Sequence, residues 1–232
     1  MRSSVLAGCS RKALFSLIVG VSFLAAISVA AQEDTLSGIK NEFYVAFDGW
    51  GMAEQLVVSG KYSVNGKMGW IHKNSFAVTV DGGHLNFSRQ VSDSIKSFDY
   101  RSSGYYVRGG FERNINRRNR RGERNFIFLG MHIGYSLTQH RAQDIVIPDR
   151  FWGTRYYSFG TTDHQYVWID FSVGLRTQLS RHFALGWEVK INRKIYNTGN
   201  KSIMPYYMAG FGKTTDPFAL GVSYYLFYTL GK

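Results

Sequence analysis

The sequence predicts an all-β protein, an eight-stranded antiparallel transmembrane β-barrel preceded by a cleavable signal peptide. Three observations predict it. The chain opens with an export signal, the remainder alternates apolar and polar residues with period two, and the polar face of that alternation carries glycine, serine and balanced charge.

The export signal comes first. Arg2, Arg11 and Lys12 precede an apolar stretch, Ala13 to Ala31, which leads to Val29-Ala30-Ala31-Gln32. A basic start, an apolar run and small residues at its end are what a signal peptidase reads. Residues 1–31 are therefore assigned to the signal peptide, 32–40 to an N-terminal periplasmic segment and 41–232 to the barrel. The signal contains three of the 28 Lys+Arg, none of the 16 Asp+Glu, and the sole cysteine, Cys9. An exported chain without cysteine draws its stability from packing and backbone hydrogen bonds, which suits a closed sheet.

The composition points the same way. Aromatic residues make up 16%, glycine numbers 25 and proline only 3, a bias of sheets with tight turns and not of helical bundles. No later stretch approaches the roughly 18 apolar residues of a membrane helix.

The clearest strand is Phe183 to Ile191, where Phe183, Leu185, Trp187, Val189 and Ile191 alternate with Ala184, Gly186, Glu188 and Lys190. Strand side chains point alternately to opposite faces, so one face is wholly apolar. Tyr166 to Leu179, Leu220 to Leu230 and Ile127 to Thr138 repeat the pattern, and weaker strands run over Asn41 to Ala53, Tyr62 to Ile71, Ser75 to Ser88 and Gly104 to Ile115. These make eight segments, each long enough to supply the roughly 9–11 residues that a tilted strand needs to cross a bilayer. An even count brings both ends of the barrel to one side. Connections at that side are centred on His72-Lys73-Asn74, on Asn116 to Arg124 and on Ser180-Arg181-His182; the longer ones, Glu54 to Gly60, Arg89 to Ser103, Arg141 to Asp163 and Asn197 to Asp216, fall at the other, extracellular side.

A soluble lipocalin-like carrier could share the strand count, but it would turn its apolar face inward. The polar face decides between them. It carries Asp48, Asp81, Glu112, Asp170 and Glu188 against Lys67, Arg108, Arg176 and Lys190, interleaved with small residues. Small residues and paired charges suit a narrow lumen, because buried ions are costly unless compensated. The expectation is a filled, salt-bridged lumen in the outer membrane of a Gram-negative bacterium, too narrow for general diffusion.

Several segments carry a resemblance: Ser103-Gly104-Tyr105-Tyr106-Val107-Arg108, Phe128-Leu129-Gly130-Met131-His132-Ile133-Gly134-Tyr135-Ser136, Phe151-Trp152-Gly153, Leu185-Gly186-Trp187-Glu188-Val189 and Pro205-Tyr206-Tyr207-Met208-Ala209-Gly210-Phe211-Gly212-Lys213. In this order they resemble a family of uncharacterised small outer-membrane β-barrels known mainly from Bacteroidota. The resemblance implies an outer-membrane location and supplies no reaction. The chain departs from it at Ala209, where a proline is expected, and at the end, Thr229-Leu230-Gly231-Lys232, which lacks a terminal aromatic residue.

No cofactor is expected, and none of His72, His84, His132, His140, His164 and His182 lies in a metal-ligand motif. Ser136 and His140 share a strand face but stand roughly 13 Å apart along it, too far for a nucleophile and its base. A lipid-modifying enzyme is thus the weaker alternative to a non-enzymatic barrel. The arginine-rich turn Arg113 to Arg124 lacks interleaved aromatics, which favours phospholipid head groups over nucleic acid. The candidate binding residues are Phe151, Trp152, Tyr156 and Tyr157 in one extracellular loop and Tyr206, Tyr207 and Phe211 in another. They are expected to anchor at the membrane interface or to bind a glycan or protein. Outer-membrane lipids and the barrel-assembly machinery are the remaining partners expected.

Overall fold

The computed structural model describes residues 41–56, 58–73, 75–92, 97–116, 126–147, 153–199 and 204–230. The assigned signal peptide and periplasmic segment lie outside the described residues, as do Phe151 and Trp152. The strands are β1 (Glu42–Asp48), β2 (Lys61–His72), β3 (Phe76–Ser92), β4 (Ser97–Asn114), β5 (Phe126–Ile147), β6 (Arg155–Gln178), β7 (Phe183–Thr198), β8 (Tyr207–Met208), β9 (Gly212–Lys213) and β10 (Phe218–Leu230). Eight of them close into an antiparallel barrel in the order β1-β10-β7-β6-β5-β4-β3-β2, while β8 and β9 form a separate hairpin. Closure comes from β1 pairing with β10, Val45 opposite Tyr228 and Phe47 opposite Leu226, so neither terminal strand is left as an edge along this seam.

The barrel is apolar outside and polar inside. Ile133, Leu129, Phe171, Ile191, Leu220 and Val222 are exposed on its wall. Their neighbours one position away, such as His132, Asp170, Lys190 and Ser223, are buried within it. This is the reverse of a soluble barrel and matches a barrel that crosses a membrane. Among the described residues no helix is long and apolar enough to span one.

Four predicted segments are corrected. The segment Asn41 to Ala53 is not one strand: β1 stops at Asp48 and a single helical turn, α1 (Trp50–Ala53), follows. The Asp48 carboxylate accepts hydrogen bonds from the backbone N–H of Trp50 at 3.0 Å and of Tyr224 at 3.1 Å, which turns the chain there. Arg89 to Ser103 and Arg141 to Asp163 are largely strand, because β3, β4, β5 and β6 run well past the apolar wall. Irregularities in the β5–β6 ladder between His140, Ala142 and Ile145 shift the phase of alternation, which hides the strand from a period-two reading. The fourth segment is Asn197 to Asp216, and its described part from residue 204 on does not reach away from the barrel. Its hairpin folds into the mouth, as described next.

Candidate functional site

Side chains pack the interior in three layers between the end where β1 begins and β10 ends and the opposite, outer mouth. The floor is aromatic: Tyr44, Phe126, Phe128, Tyr225 and Phe227 pack with Ile71, Ala77 and Ala184. Arg176 lies against this floor, its guanidinium 4.7 Å from the Tyr44 ring centroid and 4.9 Å from that of Phe227, and donates to the Thr229 hydroxyl at 2.8 Å. Among the described residues its one acidic partner within 4.0 Å is Glu42, at 4.0 Å.

The middle layer is ionic. Arg108 on β4 donates from Nε to Asp81 at 2.7 Å and reaches Asp170 at 3.3 Å and Glu188 at 2.8 Å. Lys67 on β2 pairs with Glu112 and, at 2.9 Å, with Glu188. Asp81 stands directly opposite both Lys67 and Arg108 in the sheet register. The sequence-predicted residues are thus brought together with three exceptions: Arg176 belongs to the floor, Asp48 caps the turn after β1, and Lys190 makes no ion pair within 4.0 Å among the described residues. His132 was missed by sequence reasoning and joins this layer, Nδ1 3.0 Å from Asp170 and Nε2 3.2 Å from the Thr79 hydroxyl. Its position on the polar face of β5, in phase with Gly130 and Gly134, was the available signal.

The upper layer is built by the β8–β9 hairpin. Met208 and Phe211 are buried against Tyr166, Trp168 and Ala219, with Tyr106 at their side. Asn192 on β7 anchors the hairpin by donating to the Phe211 carbonyl at 2.6 Å, and the Tyr100 hydroxyl accepts from the Tyr206 N–H at 2.8 Å. The turn requires glycine at 210, where φ is +71° and a Cβ would sit 2.5 Å from the Tyr106 ring. Trp168 fits because Gly134 faces it, since a Cβ there would lie 2.2 Å from the indole.

Tyr206, Tyr207 and Phe211, expected in an extracellular loop as binding residues or interface anchors, are placed in the mouth of the barrel. Phe211 is 1% exposed inside the barrel, and Tyr206 and Tyr207 are half-buried, packed on Phe87. An apolar hairpin gains more by filling the mouth than by standing in water. Tyr156 and Tyr157, by contrast, are exposed, together with Phe159. They lie on the first part of β6, where every residue from Arg155 to Thr161 is exposed. Ser136 and His140 do not form a nucleophile–base pair: the serine hydroxyl pairs with Thr138 at 3.2 Å, and His140 stacks on His164.

A closed antiparallel barrel with an apolar wall and a charged, filled interior defines the protein as a small membrane-spanning β-barrel. Residues 71–231 match the family described as Domain of unknown function (DUF6048), and the chain belongs to that family. No curated protein matches the chain. Among solved structures it is similar to Ail, the attachment invasion locus protein of Yersinia pestis, at 11% identity and a TM-score of 0.40, over 82% of this chain and 97% of that one. It is also similar to CarO2 of Acinetobacter baumannii, at 9% identity and a TM-score of 0.44 over 84% and 100% of the two chains. A third is a major outer membrane protein from Thermus thermophilus, at 9% identity and 0.43 over 82% and 99%. Likenesses at this level do not bear on activity.

Proposed function

We propose that the protein is a non-conducting, non-enzymatic outer-membrane barrel of a Gram-negative cell that presents the upper β5–β6 sheet to a glycan or protein partner outside it. The observation that carries this reading is the contrast between a blocked lumen and an exposed aromatic extension. About 9–11 residues suffice to cross the bilayer. β5 has 22 residues and β6 has 24, so both project beyond the wall. The projecting part carries Tyr156, 75% exposed, with Tyr157 and Phe159. Exposed aromatics with few rotatable bonds are effective contact residues, and leaving them in water without a use invites aggregation. Phe151 and Trp152, which precede this segment in the sequence, are proposed to take part in the same binding.

The test separates folding from binding. Tyr156, Tyr157 and Phe159 are changed to Ser together, insertion is checked by heat-modifiable gel mobility, and cells are assayed on glycan arrays and on immobilised envelope proteins. The reading expects normal insertion and loss of a binding signal that the parent gives. Insertion with an unchanged binding profile rejects it.

A further inference from the structure

We propose that His140 and His164 form a transition-metal site in the outer mouth of the barrel, where two imidazoles take one divalent ion of the Cu2+ or Zn2+ class. Neither residue sits in a sequence motif for metal, because the pair is assembled across two strands. His140 on β5 is opposite Thr162, and His164 on β6 is opposite Thr138, so the two are diagonal neighbours on the inner face. Diagonal positions in an antiparallel pair stand about 7–8 Å apart, within reach of long side chains. Here the rings meet, with centroids 4.8 Å apart and planes at 20°.

Burial and chemistry make the pair unusual. His140 is 2% exposed and His164 1%. Among the described residues neither ring nitrogen of His140 has a hydrogen-bond partner, although buried polar groups ordinarily find one. The Tyr100 ring stacks over His140 at 6.1 Å, but its hydroxyl is committed to Tyr206. The pair lies above the apolar wall, level with the polar outer positions Gln139, Arg101 and Asp163. Neutral imidazole is the ligand that copper, nickel and zinc favour. At Gly199, where φ is +119°, the chain crosses His164 so closely that a Cβ would sit 2.4 Å from Nδ1. Water would complete the ion's coordination.

The other histidine cluster is less suited. His132, Asp170 and Glu188 hold ligand atoms within 4.8 Å of one another. Arg108, however, already binds both carboxylates, so an added dication would face a buried guanidinium.

The experiment titrates the full chain, folded in detergent micelles and stripped with EDTA, with CuCl2 and separately with ZnCl2. Calorimetry reads stoichiometry, and thermal unfolding reads stabilisation. One equivalent per chain is expected, tighter for Cu2+ than for Zn2+, with a raised unfolding midpoint. His140→Phe should abolish that equivalent and the midpoint shift while leaving the metal-free barrel at least as stable, since it removes an imidazole without hydrogen bonds. His164→Phe should also lose the equivalent, whereas His84→Ala and His182→Ala should keep it. Absence of saturable binding, binding unchanged in His140→Phe, or binding lost only in the His84 and His182 variants would overturn the proposal.

Discussion

Arg108 on β4 and Glu188 on β7 meet across the barrel axis, Nη2 to Oε1 at 2.8 Å, with β5 and β6 between them on one side and four strands on the other. The contact ties opposite walls together in a layer where Asp81 and Asp170 share the same guanidinium.

Removing that guanidinium leaves three carboxylates buried without their main partner. Arg108→Leu should destabilise the folded barrel by about 3–5 kcal/mol, read from urea unfolding in micelles. Arg108→Lys should recover only part, because a single ammonium cannot reproduce the planar fork. Unchanged stability in Arg108→Leu would show that the layer does not hold the walls.

The outer wall gives a prediction of opposite chemistry on an adjacent position. Val189 alternates with the buried Glu188 and Lys190 on β7. Val189→Arg should cost about 2–4 kcal/mol if the position lies near the bilayer midplane, and should slow assembly. Normal insertion and an unchanged unfolding curve would contradict the assignment of this face.

Packing of the upper layer predicts a glycine effect. In Gly134→Ala the new methyl would meet the Trp168 indole, which is itself held under Phe211. Overpacking of this kind typically costs about 1–3 kcal/mol. A thermal midpoint equal to the parent's would show that Trp168 has room to move.

The apolar wall and the inward placement of most of the charged strand residues were legible in the sequence because period-two alternation maps directly onto inside and outside. Glu188 between Trp187 and Val189 needed no tertiary information. The hairpin at Tyr207 to Lys213 was not legible in the same way. Nothing local distinguishes Phe211 packed on Trp168 from Phe211 displayed outward, since the difference lies in Asn192 and Tyr100, which are far away in sequence. The upper part of β6 was hidden for another reason. Arg155-Tyr156-Tyr157-Ser158-Phe159 is exposed on both faces, so it has no apolar and polar sides to alternate.

The histidine pair gives a pH prediction. His140 has its value lowered from 6.5 to about 4, so the unfolded chain binds more protons at this site than the folded one between those pH values. Stability from this residue is therefore full above about pH 6.5 and is lost as pH falls toward 4. The parent should lose more stability than His140→Phe over that window; parallel pH profiles would contradict the burial of a neutral imidazole.

Conduction follows from the three filled layers. In planar bilayers the parent should give no steady ohmic current, because the floor, the ionic layer and the hairpin each obstruct the axis. Steady channels in the parent would show a continuous water path.

The central claim is that the barrel stands in lipid with its charges inside, and two native tryptophans test it most directly. Trp187 lies on the apolar face of β7, and Trp168 is fully buried in the lumen. Variants retaining only one of them are reconstituted into vesicles of ordinary and of brominated phospholipid, and fluorescence is compared. Strong quenching of Trp187 with little quenching of Trp168 is the predicted result; equal quenching, or the reverse order, would contradict the inside-out barrel.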